Sequence, residues 1–455
     1  MAVLLGLVLT TACTDSGGST ASSASAGSSP PTSSVRPVEA SALYYKQLDA
    51  GVDLSAKLGN VDLVVVPPQR DEGAAIKAIH DSGAKAFQYV QYYWAPADQP
   101  FEGLDLGAHP EWAFCGSGSQ PLVGRTAGAT STKWFFLDLN EKSLLAQIAS
   151  QLGDLRSRGW DGVMFDRGWA ATQSGTDLSG ADVWSRASTC TDDPVAPNAT
   201  FSDAYVAMTG EGHKAGLEVL LNSGFSPFDP VIPMRPDPAS EACRAHEWAN
   251  CTFVDDVWPH VDFMLDEAPA HPGDTNWGVD FEANTRNEKD RDHRGRVLGL
   301  ITSGTLAPLE NNHDNVYFEW SRARLFDFPV TVNTGDGGCP GSSPEAACNQ
   351  KGIYPELNSV RLGQPIAEAP ASMQCDTGST TRCVWYRQYS DGLVVVNVSR
   401  DPKPGVQVPL GVEGCRYVLD LHSGQPLFDD RCVTSVSLDL GAGSGRPLVL
   451  SRSPL

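Results

Sequence analysis

Two acidic residues follow short apolar runs of the sequence, in positions where their side chains can carry out acid–base chemistry. Asp166 follows the run 162–165, and Glu267 follows the run 263–265 with Asp266 between them. A carboxylate directly after a buried strand costs free energy unless it is wet, paired or functional. We therefore take Asp166 and Glu267 as candidate catalytic residues and keep Asp266 as the alternative to Glu267.

The predicted spacing of the two acids suits the cleavage of glycosidic bonds. Adjacent strands are about 4.8 Å apart, so acids on strands two apart are roughly 10 Å apart before inward side chains converge. Glycosidases hold their two carboxyl groups from about 5 Å to about 9.5 Å apart. One acid donates a proton to the leaving oxygen while the other, ionised, attacks or activates water. We assign Glu267 as the acid and Asp166 as the nucleophile or base; the alternative for either is a loop cap or an ion-pair partner.

The elements that position these acids follow from the alternation of apolar runs with amphipathic stretches, which predicts repeated β-α units. Eight runs predict a closed α/β barrel of the (β/α)8, or TIM, type: 43–47, 63–66, 86–90, 162–166, 217–222, 263–267, 297–302 and 330–333. A helix is predicted from Glu141 to Arg158 and ends at Gly159. The segment 134–138 could instead be a strand, which would shift the strand numbering by one.

The barrel is predicted to span residues 41–370, and a second domain to span residues 371–455. Beyond about Cys375 the pattern changes to short alternating β runs separated by turn residues, which predicts a small antiparallel β-sandwich domain. The insertion 96–133 is long for a loop between strand and helix, and such loops on a barrel usually shape the substrate cleft.

Polar and aromatic residues near the predicted strand ends are candidates for binding a carbohydrate. Amide side chains can bind sugar hydroxyls, and aromatic rings near the strand ends, that of Tyr89 among them, can stack on the apolar faces of sugar rings. About half of the aromatic residues are expected to be ordinary core or rim residues. The predicted binding residues are Tyr45, Gln88, Tyr92, Trp94, Arg167, Trp169, Asn222, Asp266 and Asn333.

The N-terminus predicts export and a lipid anchor. Residues 1–13 are an apolar run ending in Leu-Thr-Thr-Ala-Cys, which resembles a signal peptide with the cleavage box of bacterial lipoproteins. Cys13 is the predicted lipidation site, and a cleaved signal with an incidental cysteine is the alternative. Residues 14–40 are mostly Ser, Gly, Ala, Thr and Pro and are predicted to be a disordered linker. The expected location is the extracellular face of the bacterial membrane, or the medium.

Cysteine usage and charge limit the classes of function. Ten cysteines remain after Cys13, and their spacing lacks C-x-x-C pairs, which predicts five disulfides and no metal site. The predicted pairs are Cys243–Cys251, Cys339–Cys348, Cys375–Cys383, Cys415–Cys432 and, as the remaining two cysteines, Cys115–Cys190. The formal net charge of −22 disfavours nucleic acid as a partner. No phosphate-binding loop, dinucleotide fingerprint, H-E-x-x-H motif or nucleophile elbow is present, so we expect no cofactor. Separately, we expect the protein to be a monomer.

Several motifs resemble a known group of secreted glycosyl hydrolases related to glycoside hydrolase family 114, the endo-α-1,4-polygalactosaminidases. The segment 159–166, Gly-Trp-Asp-Gly-Val-Met-Phe-Asp, is similar to their "G-f-D-G-v-f-x-D" strand, and Asp262 with Glu267 is similar to "D-x-v-m-x-E". His-Pro-Glu-Trp at 109–112 and the segment 136–140 are similar to loops of the same group, so the likeness spans about residues 42–335.

The resemblance implies a barrel with an acidic pair on strands four and six that acts on α-linked or amino sugars. Arg167 departs from the family pattern. Its guanidinium could hold Asp166 ionised or bind an acidic sugar. The alternative function is that of a non-catalytic carbohydrate-binding surface lipoprotein.

Overall fold

The centre of the molecule, in the computed structural model, is a sheet of eight parallel strands. The strands, in sheet order, are β1 (Ser41–Leu43), β2 (Leu63–Val66), β3 (Lys85–Val90), β9 (Gly162–Phe165), β10 (Glu218–Asn222), β11 (Phe263–Asp266), β12 (Val297–Ile301) and β13 (Val330–Val332). Seven of the eight predicted runs coincide with these strands, whereas the first, predicted at 43–47, shares only Leu43 with β1, which lies two residues earlier. Their near-continuous apolar sequences suit strands that are buried on both faces.

The structure describes residues 38–44, 46–48, 51–92, 94–96, 98–113, 115–116, 120–121, 123–127, 132–166, 197–222, 257–266, 296–302, 313–333, 353–367, 369–380, 382–429 and 431–454. By its contacts, Val35–Leu455 forms one compact unit. The predicted boundary at residue 370 stays a prediction.

Side chains join the first and last strands of the sheet and bring it close to a closed barrel. Thr331 of β13 donates from Oγ1 to the carbonyl of Ser41 in β1 at 2.9 Å, and the two hydroxyl oxygens are 3.1 Å apart. Asn333, just past β13, donates from Nδ2 to the carbonyl of Leu43 at 2.7 Å. These bonds satisfy polar backbone groups of β1 that would otherwise be buried without partners.

Alternation along each strand separates the barrel interior from the layer beneath the helices. Leu63 and Val65 belong to an inner cluster that also contains Phe87, Met164, Leu220, Phe263, Leu265, Leu298 and Leu300. Val64 and Val66 belong to an outer cluster that continues into the helices. Because side chains of a strand alternate faces, this parity decides which polar residue at each strand end faces the interior.

Helices cover the outer face of the barrel. They are α1 (Leu54–Leu58), α2 (Glu72–Asp81), α3 (Lys142–Arg158), α4 (Pro197–Lys214), α5 (His313–Arg324) and α6 (Pro355–Asn358), with 3-10 turns at Pro110–Trp112 and Trp258–His260. The prediction of α3 is confirmed: Glu141 caps it through the amide of Ser143, and Gly159 ends it at φ 105°. Leu144, Ile148 and Leu152 of α3 are fully buried at helical spacing.

The insertion after β3 forms small sheets of its own. Its strands are β4 (Trp94–Pro96), β5 (Cys115–Gly116), β6 (Gln120–Pro121), β7 (Val123–Ala127) and β8 (Thr132–Phe136). β8 lies between β4 and β7 in an antiparallel sheet outside the barrel. The segment 134–138, predicted as an alternative barrel strand, therefore overlaps β8 outside the barrel, and the numbering of the barrel strands does not shift.

The C-terminal part contains two antiparallel sheets. Their strands are β14 (Ala371–Met373), β15 (Val384–Gln388), β16 (Gly392–Asn397), β17 (Lys403–Pro409), β18 (Tyr417–Asp420), β19 (Gln425–Pro426), β20 (Ser435–Leu440) and β21 (Ser444–Ser451). β17 pairs with β20, and the other six strands form the second sheet. Val395 of the larger sheet and Val408 and Leu438 of the smaller pair share one buried cluster. The disulfides Cys375–Cys383 and Cys415–Cys432 form as predicted. The other three predicted pairs each include a residue outside the described part of the chain.

Helix α5 joins the barrel to the larger C-terminal sheet. Arg387 of β15 donates from Nη1 to the carbonyl of Leu325, just past α5, at 2.7 Å. A Cβ at Gly445 of β21 would lie 2.7 Å from the carbonyl oxygen of Tyr317, so this contact requires glycine. No helix among the described residues is long and apolar enough to cross a membrane.

Candidate active site

Asp166 lies directly after β9, where the strand opens at its carboxyl end. Its amide donates to the carbonyl of Val90 at 2.9 Å, so the parallel pairing of β3 and β9 still holds its backbone. Met164, two residues earlier, faces the barrel interior. The same alternation places Asp166 on the inner side of the barrel mouth, where catalytic residues of such barrels lie.

Three side chains donate hydrogen bonds to the Asp166 carboxylate. Tyr89 donates from its hydroxyl to Oδ2 at 2.5 Å, and Gln91 donates from Nε2 to the same oxygen at 3.3 Å. Asn222 donates from Nδ2 to Oδ1 at 2.7 Å. Both carboxylate oxygens of Asp166 therefore accept hydrogen bonds from side chains at the barrel mouth.

The donors come from the two strands that flank β9. Tyr89 and Gln91 follow Phe87 at spacings of two and four residues, so they share its inward direction. Asn222 follows the inward Leu220 of β10 and is 1% exposed. Strand ends are stiff supports because their backbone is bonded on both sides, so these donors hold the carboxylate in one orientation.

A second acid, Glu102, lies near this cluster. The backbone amide of Gln91 donates to Oε2 of Glu102. Burial raises the pKa of Glu102, the bond from the Gln91 backbone amide opposes this shift, and the charge of Asp166 adds to it, so that the pKa is about 7. Glu102 therefore carries a proton for much of the time near neutral pH.

Two predicted binding residues lie on the outer side of the barrel. Gln88 is 7% exposed and lines a cavity of about 370 Å³ between β3 and α3. Tyr92 is 4% exposed, and its hydroxyl donates to Oε1 of Gln151 in α3 at 2.7 Å. Burial raises the pKa of Tyr92. Strand alternation explains the placement of Gln88, because it directs residues 86, 88 and 90 away from the interior. The prediction of Tyr92 as a stacking residue is not met here, because its ring is packed in the outer core.

The remaining predicted residues divide into four groups. Asn222, predicted to bind a carbohydrate, donates a hydrogen bond to Asp166. Asn333 is engaged in the seam between β13 and β1. Trp94 lies in β4 opposite Phe136, and Asp266 ends β11 opposite Gly299. Outside the described residues lie Glu267, Tyr45, Arg167, Trp169 and Cys13.

Sequence reasoning overlooked Gln91 and Glu102 and gave Tyr89 a different role, that of a stacking aromatic. The period of two in β3 was the available signal, because it groups Tyr89 and Gln91 with Phe87. No local pattern indicated Glu102, which reaches the site through a turn. Among the described residues, no cluster of His, Cys, Asp and Glu could hold a metal ion.

The sequence matches no protein-family model and no curated protein. Among solved structures it is similar to an α-amylase from Lactobacillus plantarum, with 12% identity, a TM-score of 0.50, and 91% of this chain and 98% of that chain covered. It is also similar to a GH27 β-L-arabinopyranosidase from Geobacillus stearothermophilus (12% identity, TM-score 0.45, 91% and 96% covered). A third similar structure is Aspergillus fumigatus Ega3 in complex with galactosamine (13% identity, TM-score 0.36, 66% and 93% covered). The likeness to the α-amylase supports the barrel fold, and function has to be argued from the site.

Proposed function

We propose that this chain is a glycoside hydrolase in which Asp166 is the nucleophile or base and Glu267 is the general acid. The observation that carries the proposal is the Asp166 carboxylate at the barrel mouth, which receives hydrogen bonds from Tyr89, Gln91 and Asn222. A carboxylate that is held in one orientation suits attack on an anomeric carbon or activation of water.

The alternation of β11 supports Glu267 over Asp266 as the partner acid. Leu265 faces the barrel interior, and a period of two predicts that the residue two positions later shares that face. Strand β10 separates β9 from β11, so the two acids would project from strands roughly 10 Å apart. That separation narrows when both side chains converge on a substrate, into the range of glycosidases.

The proposed substrate is an extracellular polysaccharide or glycoconjugate with α-linked or amino sugars. This class rests on the motif resemblance around segments 159–166 and 262–267. We further propose that the two C-terminal sheets form a β-sandwich and that lipidation of Cys13 anchors an exported enzyme to the membrane.

The test compares the wild type with Asp166→Asn and Glu267→Gln on a panel of bacterial and fungal polysaccharides, using reducing-end release as the readout. The wild type should cleave at least one polymer. Each variant should lower kcat/KM by roughly 100-fold or more, because general acid–base catalysis contributes about 10² to 10⁴ in rate. Binding of the same polymer should persist. A wild type that binds a polymer without cleaving it would favour the carbohydrate-binding alternative.

A further inference from the structure

Gln91 forms hydrogen bonds to both Glu102 and Asp166, through its backbone to the first and through its side chain to the second. Its backbone amide donates to Oε2 of Glu102, and its side-chain Nε2 donates to Oδ2 of Asp166 at 3.3 Å. A hydrogen-bonded path therefore runs from Glu102 through Gln91 to Asp166. Because Gln91 directly follows β3, its backbone is held on one side by the strand and on the other by Glu102.

Glu102 lies in a turn, in a backbone conformation that residues other than glycine, asparagine and aspartate rarely adopt. Phe101 and Leu104 exchange backbone hydrogen bonds of 2.8 and 2.9 Å around the two-residue turn Glu102-Gly103. Both turn residues have positive φ, 50° for Glu102 and 75° for Gly103, which is the combination of a type I′ turn. Such backbone strain persists where the surroundings enforce it, and it is concentrated at functional sites.

Packing against helix α3 holds the turn at Glu102 in place. A Cβ at Gly103 would lie 2.5 Å from Nε2 of Gln151 in α3, so the turn packs directly against that helix. Glu102 also lines the cavity of about 370 Å³ between β3 and α3. The titratable and charged groups that face it are Tyr92 after β3, Asp154 and Arg158 of α3, and Asp166 after β9.

We propose that Glu102 is a positioning residue for Asp166, acting through Gln91. The carboxyl group of Glu102 fixes the backbone of Gln91, and the side-chain amide of Gln91 then holds Oδ2 of Asp166 in its reactive orientation. The inference rests on the proposed role of Asp166 in catalysis. The pKa of Glu102 is about 7, so its ionisation adds one negative charge beside Gln91 above that pH.

Kinetics on a cleaved polymer separate positioning from a general effect on folding. Glu102→Ala should lower kcat at least tenfold and leave KM within twofold of the wild type. Glu102→Gln should keep most of the wild-type kcat, because its Oε1 still accepts a hydrogen bond from the backbone amide of Gln91. Gln91→Ala should lower kcat similarly, and the double variant Glu102→Ala/Gln91→Ala should lose no more than the worse single variant. A fully active Glu102→Ala, a Glu102→Gln as impaired as Glu102→Ala, or additive losses would overturn the proposal.

A titration that needs no substrate distinguishes this inference from the proposed function. In the full chain with carbon-13 in the Asp and Glu carboxyl groups, the Asp166 signal should show an inflection near pH 7 caused by ionisation of Glu102. Glu102→Gln should abolish the inflection, whereas the exposed Glu413→Gln should retain it. An inflection in a wild type that cleaves no polymer supports the link while removing the glycosidase proposal. An Asp166 signal that is identical in the wild type and in Glu102→Gln overturns the link.

Discussion

Asn222 donates a hydrogen bond from Nδ2 to Oδ1 of Asp166 at 2.7 Å; Asn222 ends β10, and Asp166 directly follows the neighbouring parallel strand β9. The register pairs Leu221 of β10 with Phe165 of β9, so the residues that follow them, Asn222 and Asp166, lie at the same level of the barrel mouth. Asn222 is 1% exposed and Asp166 is partly exposed. A buried amide therefore orients a carboxylate that is accessible to solvent.

Removing either strong donor to Asp166 should slow the proposed reaction. Asn222→Ala and Tyr89→Phe each delete one hydrogen bond to a charged group, which is worth about 1.5 to 3 kcal/mol. We expect kcat/KM to fall roughly 10- to 100-fold in each variant. Steady-state kinetics on a cleaved polymer checks this, with Tyr386→Phe in β15 as the control that should match the wild type. Unchanged kinetics in both site variants would contradict a catalytic Asp166.

Glu102 should make stability fall as the pH rises. Its folded-state pKa is about 7, above the ordinary 4.5, so the folded protein binds more protons between these pH values. That difference corresponds to about 3 kcal/mol, present at pH 4.5 and lost by about pH 7. Glu102→Gln should lack this component of the pH dependence. Urea unfolding at pH 5 and pH 8 measures it, and Glu413→Gln should behave as the wild type. An equal fall in Glu102→Gln would refute the prediction.

His422 should have the opposite effect at the junction of helix α5 and the larger C-terminal sheet. It contacts Oδ1 of Asp314 through Nε2 at 2.7 Å, and Nη1 of Arg446 contacts its Nδ1. Burial lowers the pKa of His422, the Arg446 charge lowers it further, and the Asp314 carboxylate opposes the shift. The unfolded chain then takes up the proton first, so stability should be complete above about pH 6.5 and decrease below it.

The test for His422 is the pH dependence of chemical unfolding between pH 5 and pH 8. His422→Gln can replace both ring contacts without titrating, so its stability should decrease less on acidification than that of the wild type. His260→Gln, near β11, serves as the control and should decrease as the wild type does. A wild type and a His422→Gln variant with parallel pH profiles would argue against this role.

Closure of the barrel should depend on the side chains in the seam. Thr331→Val keeps the shape of the side chain and removes the donor to the Ser41 carbonyl, which lies at 2.9 Å. Because Thr331 is 1% exposed, we expect a loss of about 2 kcal/mol in the free energy of unfolding. Equilibrium denaturation measures the loss, and the exposed Thr377→Val should show almost none. A Thr331→Val variant as stable as the wild type would show that the Thr331 hydrogen bond does not stabilise the seam.

The amino-acid sequence alone was sufficient to predict seven of the eight barrel strands, helix α3 and the position of Asp166. Periodicity is a local property, and runs that are buried on both faces stay apolar whatever surrounds them. The position of Asp166 followed because a polar residue that ends such a run lies at the open end of its strand. The two described disulfides were also predictable, because their cysteines are close along the chain.

The tertiary structure alone decided which polar residues meet. Gln88 and Tyr89 are adjacent in sequence, yet one faces α3 and the other bonds Asp166. Asn333 looked like a binding residue and instead joins β13 to β1, because the seam exists only once the sheet curves round. Glu102 reaches Gln91 through a turn that packs against a helix about 45 residues further along the chain. Contacts of this kind depend on strand twist, closure and turn geometry, which local sequence patterns do not encode.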